Sequence, residues 1–251
     1  MSIAEFDLDG MVVAVTGAGK GIGRAIAVDA ARAGADILGC SRTPSDLDQL
    51  RAEVEAVGRK CHTVVADVTD PDDVERFLDA VPTLDAVVNN AGGNRLADAL
   101  DYTIADVDQL VTQNLRSVWL VSAAAARRMG TTGGGTILNI TSQAGVIAAP
   151  GRAPYSAAKA GVNHLTKTLA VEWAPLGIRV NALAPTVTAT PLGERAMAEY
   201  PALADEVARR NLFGRPASTQ EISLPAVFLL SPAAAMITGH VLVVDGGWTL
   251  T

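Results

Sequence analysis

The chain is expected to fold as an α/β protein: a doubly wound, seven-stranded, mostly parallel sheet with helices on both faces. Three observations predict this. Short apolar runs alternate with helical patterns from end to end, as a parallel sheet covered on both sides requires. A glycine-rich turn, Thr16-Gly-Ala-Gly-Lys-Gly-Ile-Gly23, joins the first apolar run to the first helical pattern. The length of 251 residues, with 49% hydrophobic content, suits one large core rather than two small ones.

Taken in order, Met11–Thr16 reads as the first strand and Gly21–Ala33 as the helix after it. Asp36–Ser41 is a second strand, followed by a helix whose Leu47, Leu50, Val54 and Val57 recur at 3- and 4-residue spacing. Cys61–Ala66 is the third strand. Pro71–Ala80 is a helix with proline at its start and acids in its first turn, so Asp70, Asp72 and Asp73 are helix N-terminal charge rather than a carboxylate site. Leu84–Val88 is the fourth strand, and one long helix is expected over Ile104–Met129. Thr136–Ile140 is the fifth strand, closing at Thr141-Ser142. A helix from about Ala153 runs to about Ala174, where Pro175 and Gly177 stop it. Ile178–Leu183 and Val241–Val244 complete the sheet. No linker or repeat interrupts the pattern, so residues 1–251 read as one domain. The apolar and charged stretch 191–213 after the sixth strand would lie beyond the strands' carboxyl ends, where ligands bind, and is a candidate substrate lid.

The formal charge of −7 disfavours nucleic acid or anionic membrane as partners. No run approaches the roughly 18 apolar residues of a membrane helix, and the first ten residues lack the apolar run of a signal peptide. A cytoplasmic protein is expected. Cys40 and Cys61 read as reduced, buried thiols, and His62, His164 and His240 have no metal spacing.

The chemistry is expected at Tyr155 and Lys159, which four-residue spacing puts on one helical face. A phenol has a pKa of about 10, and lowering it by about three units takes roughly 4 kcal/mol. One ammonium about 4 Å away supplies that amount at an effective dielectric near 20. In the glycine turn, Gly17, Gly21 and Gly23 would let the backbone approach a pyrophosphate that the helix N-terminus faces, with Lys20 and Ile22 beside it. At the end of the second strand, Ser41 and Arg42 stand where an acid would select a free ribose 2′-hydroxyl. A guanidinium there can pair with a 2′-phosphate, so NADP(H) is preferred and NAD(H) remains possible.

With these pieces assembled, the chain resembles the short-chain dehydrogenase/reductase family in its compact, single-domain, Rossmann-like branch. The likeness rests on the glycine turn, on Asn89-Asn90-Ala91-Gly92, on Tyr155-x-x-x-Lys159 and on Asp245-Gly246-Gly247. The resemblance implies a catalytic set of Asn114, Ser142, Tyr155 and Lys159. Tyr155 would exchange the proton, Lys159 lower its pKa and bind the nicotinamide ribose, Ser142 orient the substrate oxygen, and Asn114 hold a water linking Lys159 to solvent. It also implies cofactor contacts at Asp67 and Val68 for the adenine, at Asn90, Ala91 and Gly92, and at Pro185, Thr188 and Thr190 for the nicotinamide amide. Thr186 departs from the family's usual glycine and is expected to stiffen that loop.

Ala-rich stretches, Ala123–Ala126 and Ala157, Ala158, Ala160, favour close helix packing between subunits, and the resemblance implies a homotetramer, less often a dimer. The substrate would be a small carbonyl or secondary alcohol: a 3-oxoacyl thioester, a sugar-derived ketone or a xenobiotic-like carbonyl. Met197, Tyr200, Leu212 and Phe213 lean towards an apolar group, whereas Gln143, Asn94 and Arg152 could serve a polar one. The alternatives are an NAD(H)-preferring alcohol dehydrogenase and a dinucleotide-sensing protein without turnover. An enoyl reductase would separate Tyr and Lys by more than one turn.

Overall fold

The computed structural model describes residues 4–251; of the first ten residues read above, Met1 to Ile3 lie outside the described residues. Seven strands, all parallel, form one sheet in the order β3-β2-β1-β4-β5-β6-β7. They are β1 (Val12–Thr16), β2 (Asp36–Ser41), β3 (Cys61–Val65), β4 (Ala86–Asn89), β5 (Gly135–Ile140), β6 (Ile178–Pro185) and β7 (Val241–Val244). The chain winds outwards twice from the middle, so the order reverses between β1 and β4. That switch point opens a crevice at the strands' carboxyl ends.

Successive strand residues feed opposite faces, as a period of two dictates. On one side Val13, Val15, Ile37 and Val88 pack under α1 (Gly21–Arg32) and α2 (Pro44–Ala56). On the other, Ala14, Leu38, Val87, Ile137 and Val180 pack under α3 (Pro71–Leu78) and the helices that follow β4 and β5. The sheet is therefore dry on both faces, which explains its near-continuous apolar strands.

The structure corrects several expectations. The long helix expected over 104–129 is broken: α4 (Ile104–Val111) passes through one π turn, Thr112–Arg116, into α5 (Ser117–Thr132). Val57 caps α2 and is exposed rather than core. Cys40 is buried but Cys61 is only partly so; burial pushes their thiols up to about 12 and about 11. The stretch 191–213 holds two helices, α7 (Pro191–Glu199) and α8 (Pro201–Arg210). A further helix, α9 (Thr219–Leu230), was not expected. Its signal is the capping box in which Ser218 and Glu221 exchange hydrogen bonds, and Pro225 inside the helix obscured it. Ile222, Ala226 and Leu229 of α9 join the core that covers α1. Of the alanines expected at subunit contacts, Ala124, Ala125, Ala126 and Ala158 are already buried within the chain.

The Tyr155-bearing helix, α6 (Ala153–Trp173), is fixed by a buried polar chain that crosses the sheet. Asn89 donates to Ser122 Oγ and Asn139 Oδ1, both at 2.8 Å, and Asn139 donates to Thr166 Oγ1 on α6 at 2.9 Å. Thr166 in turn donates to the Val162 carbonyl at 2.8 Å. Strands β4 and β5 and helices α5 and α6 are thus held in one register with few polar atoms left over. Truncating Asn139 to alanine removes one hydrogen-bond partner each from Asn89 and Thr166 and leaves a cavity between them, which is expected to cost about 3 kcal/mol. Urea unfolding reads this directly, and a loss below about 1 kcal/mol would show that the chain of amides does not hold the two layers together.

Candidate active site

The site begins at the end of β1. Thr16 Oγ1 accepts hydrogen bonds from the backbone N–H groups of Asn90 and Ala91, both at 3.0 Å. Asn90 returns the tie by donating its amide to the carbonyls of Thr16 and Gly17 at 3.1 and 3.2 Å. The two strand ends at the switch point are therefore pinned to each other, and Asn90 serves the turn as well as lining the cleft. Gly17 turns the chain at φ +62, a conformation that side chains disfavour. Lys20 stands at the N-cap of α1 without capping it through its side chain, so the helix's first N–H groups face the crevice. Gly23 is a correction. It does not line the cleft; a Cβ there would lie 2.4 Å from both Asn90 Nδ2 and the Gly17 carbonyl, so its smallness lets α1 pack against the turn.

The crevice is a cavity of about 810 Å³ running from this turn to the N-terminus of α6. Of the residues expected to bind a dinucleotide, Gly17, Lys20, Gly21, Ile22, Ser41, Arg42, Asp67, Val68, Asn90, Ala91, Gly92, Pro185, Thr188 and Thr190 all line it. At the ribose corner Arg42 is exposed and lies 3.9 Å from Asp67, while Lys20 lies 3.8 Å from Asp46. Such loose, solvated pairs contribute little and leave both cations able to turn to an anion. Asp46, at the start of α2, is an acid in this corner that the sequence reading passed over. At the other end, Thr186 donates its backbone N–H to Val244 at 3.2 Å, which extends the strand and fits the expected stiffening. Its hydroxyl is buried without a partner, facing the cleft. Thr190 caps α7 by accepting from Gly193 N–H at 3.1 Å. A glycine-lined turn, an uncapped helix end and an orphaned hydroxyl at the far end fit a nicotinamide dinucleotide.

Tyr155, Ser142, Lys159 and Asn114 meet at the cleft wall. Lys159 is buried, and its ammonium donates to the Ile140 carbonyl at 2.9 Å, across from β5. Burial without a carboxylate partner lowers its pKa to about 8. Because the folded value lies below that of an unfolded lysine, this burial opposes folding most fully below pH 8. The penalty is relieved as the pH rises towards the ordinary lysine range. Asn114 stands in the π turn, a device that often re-aims a side chain at a functional site. Its amide donates to the carbonyls of Gly93 and Leu110, both at 2.9 Å. A Cβ on Gly92 would lie 2.6 Å from Asn114 Oδ1 and 3.7 Å from Lys159 Nζ, so the two side chains flank that glycine. Ser142 accepts from Ala144 N–H at 3.1 Å and so caps the turn after β5 while facing the cleft.

In one respect the site differs from expectation. Lys159 is not among the groups that act most on the phenol here. Its ammonium lies 5.7 Å from the Tyr155 ring centroid, drawn back onto the Ile140 carbonyl. Burial pushes the phenol above its ordinary value, while a hydrogen bond with Ser142 and the charge of Arg152 pull it down. The net direction is up, so Tyr155 is held protonated. The apolar substrate contacts expected from 191–213 are also reduced. Tyr200 lines the cleft with Leu192 and Leu203, but Leu212 and Phe213 face solvent and Met197 packs with Val207 and Trp248. The polar side chains Asn94, Gln113, Gln143, Arg152, Arg195 and Glu199 line that end of the cleft.

A family model described as enoyl-(acyl carrier protein) reductase matches residues 17–249. The chain is 39% identical over 250 residues to gluconate 5-dehydrogenase of Gluconobacter oxydans, covering 98% of this chain and 97% of the relative. It is 40% identical over 250 residues to D-threitol dehydrogenase of Mycolicibacterium smegmatis, covering 98% and 95%. A solved Beutenbergia cavernae protein, described as an NAD(P)-dependent gluconate 5-dehydrogenase with NADP bound at low occupancy, superposes with a TM-score of 0.93. The two are 38% identical, over 98% of this chain and 100% of that one. With a parallel sheet wound twice from its middle, a glycine turn at the switch point and relatives alike over their whole length, this chain belongs to the short-chain dehydrogenase/reductase family of oxidoreductases.

Proposed function

We propose that the chain is an NADP(H)-dependent oxidoreductase that interconverts a secondary alcohol and a ketone on a polyhydroxylated, sugar-derived substrate. The observation that carries this reading is the convergence of Tyr155, Ser142 and Lys159 on one wall of the cleft into which the glycine turn opens. The polar lining of the substrate end favours the sugar-derived class over an acyl thioester or an apolar carbonyl. Relatives named for gluconate and threitol point the same way.

The glycine turn and the N-terminus of α1 hold the pyrophosphate; Arg42, Ser41 and Lys20 take the 2′-phosphate. Thr186, Thr188 and Thr190 hold the amide end, and Lys159 reaches the nicotinamide ribose. When bound, the cofactor supplies or accepts a hydride at the substrate carbon. Tyr155 gives its phenolic proton to the carbonyl oxygen during reduction and takes it back from the alcohol during oxidation. Ser142 donates a hydrogen bond to the same oxygen as charge builds on it. A phenol held protonated by burial is ready to donate, so reduction needs no prior ionisation of Tyr155. Oxidation gains as the pH rises. Ser142 and the charge of Arg152 stabilise the phenolate left behind, and Asn114 beside Lys159 shapes the proton's route to solvent. Helices α7 and α8 act as the lid over the substrate end. Exposed Trp119 on α5 and exposed Ala157, Ala160 and Val171 on α6 suit the helix faces of a homotetramer.

Two substitutions test this. Tyr155→Phe removes only the donor: NADPH binding should persist while kcat falls roughly 10²- to 10⁴-fold. Near-native turnover would refute the role. Arg42→Asp places a carboxylate where the 2′-phosphate sits and should cut the NADPH-over-NADH ratio of kcat/KM by roughly 10- to 100-fold. An unchanged ratio would show that this corner does not read the phosphate.

A further inference from the structure

Arg152 is buried, 8% exposed, at the N-terminus of α6, three residues before Tyr155. A guanidinium this deeply placed ordinarily has a carboxylate partner, because its desolvation is otherwise unrepaid. Here none of the ion pairs among the described residues includes it. Its Nε is buried with no hydrogen-bond partner. Glu206 shares a small cavity with it behind the cleft, together with Arg210, but forms no salt bridge with it. Of the other cations of the substrate end, Lys159 is engaged on the Ile140 carbonyl and Arg95 on Asp106, while Arg195 shares the cleft lining with Glu199. Arg152 lines the active-site cleft, and its charge reaches the Tyr155 phenol.

Two more orphans stand in the same cleft. Gln143 Oε1 and Asn94 Oδ1 are buried without a donor. Both are hydrogen-bond acceptors, which hydroxyl groups would satisfy. A cation lacking its anion and two acceptors lacking their donors describe one ligand by complement: a chain of hydroxyls ending in a carboxylate. We infer that the substrate is a polyhydroxy acid of the aldonate type, its carboxylate held by Arg152 and its hydroxyls by Gln143 and Asn94. This rests on, and narrows, the sugar-derived reading above. The carboxylate is a handle and takes no part in the redox step, which remains at a carbinol carbon near Tyr155. The forked guanidinium suits a bidentate pair with a carboxylate. It also explains why the chain tolerates an unpaired buried arginine beside its proton donor.

The experiment compares matched pairs with NADP⁺, followed at the reduced nicotinamide absorbance: D-gluconate against D-glucitol, D-galactonate against galactitol, D-mannonate against D-mannitol, D-xylonate against xylitol. In the native protein the best acid should exceed its alditol in kcat/KM by roughly 10- to 100-fold. Arg152→Gln should erase most of that ratio, mainly through KM for the acid. Arg152→Lys, which keeps the charge but loses the fork, should retain part of it and serves if the glutamine variant fails to fold. Alditols used as well as acids by the native protein, or an acid preference that survives both variants, would overturn the assignment while leaving the sugar-derived reading in place. Turnover of neither set would overturn both.

Discussion

A charged amine buried at the wall of the cleft is the constraint around which this molecule is arranged. Among the described residues Lys159 has no carboxylate to neutralise it; its ammonium donates a hydrogen bond to a single carbonyl, that of Ile140, at 2.9 Å. Holding an ammonium there opposes folding, and the surrounding order offsets it. The amide chain from Asn89 through Asn139 to Thr166 locks α6 against β5, which fixes the amine against its acceptor. Gly92 leaves room for Lys159 and Asn114 on either side of the β4 end. A site of this kind sits naturally where stability is exchanged for chemistry.

The electrostatics of the cleft are divided along its length. At the turn, a helix end with loosely paired Lys20 and Arg42 makes a solvated, positive receptacle suited to phosphate. At the catalytic wall the groups are buried, and burial moves Tyr155 up and Lys159 down, apart from each other in pKa. The phenol therefore keeps its proton for donation, while the amine releases its own more readily than a solvated lysine does. The overall charge of −7 makes the local positive end stand out from the rest of the surface.

Much of this was legible in the sequence, for identifiable reasons. Near-continuous apolar runs located the strands because both sheet faces are buried, and the spacing of Tyr155 and Lys159 put them on one face of α6. The lining of the cleft followed from the motif positions, Gly23 excepted, whose role is close packing of α1 on the turn. What was not legible depends on contacts distant in sequence. The withdrawal of Lys159 onto Ile140 joins residues 19 apart through the packing of α6 on β5. The break at Thr112–Arg116 follows no residue pattern, since the same side chains suit an α-helix. α9 was hidden by Pro225 despite its capping box. The isolation of Arg152 could not be read at all, because a missing partner leaves no trace in a sequence.

The burial of the Lys159 ammonium is most directly tested by its own titration. The chain has only four lysines, Lys20, Lys60, Lys159 and Lys167, so carbon NMR of protein labelled at the lysine ε-carbon, with Lys159→Arg to assign the signal, resolves each one. Lys159 should titrate near pH 8, well below the ordinary lysine range. A Lys159 signal titrating in the ordinary range near 10.4 would mean that the amine is solvated, and the arrangement of the site around it would have to be abandoned.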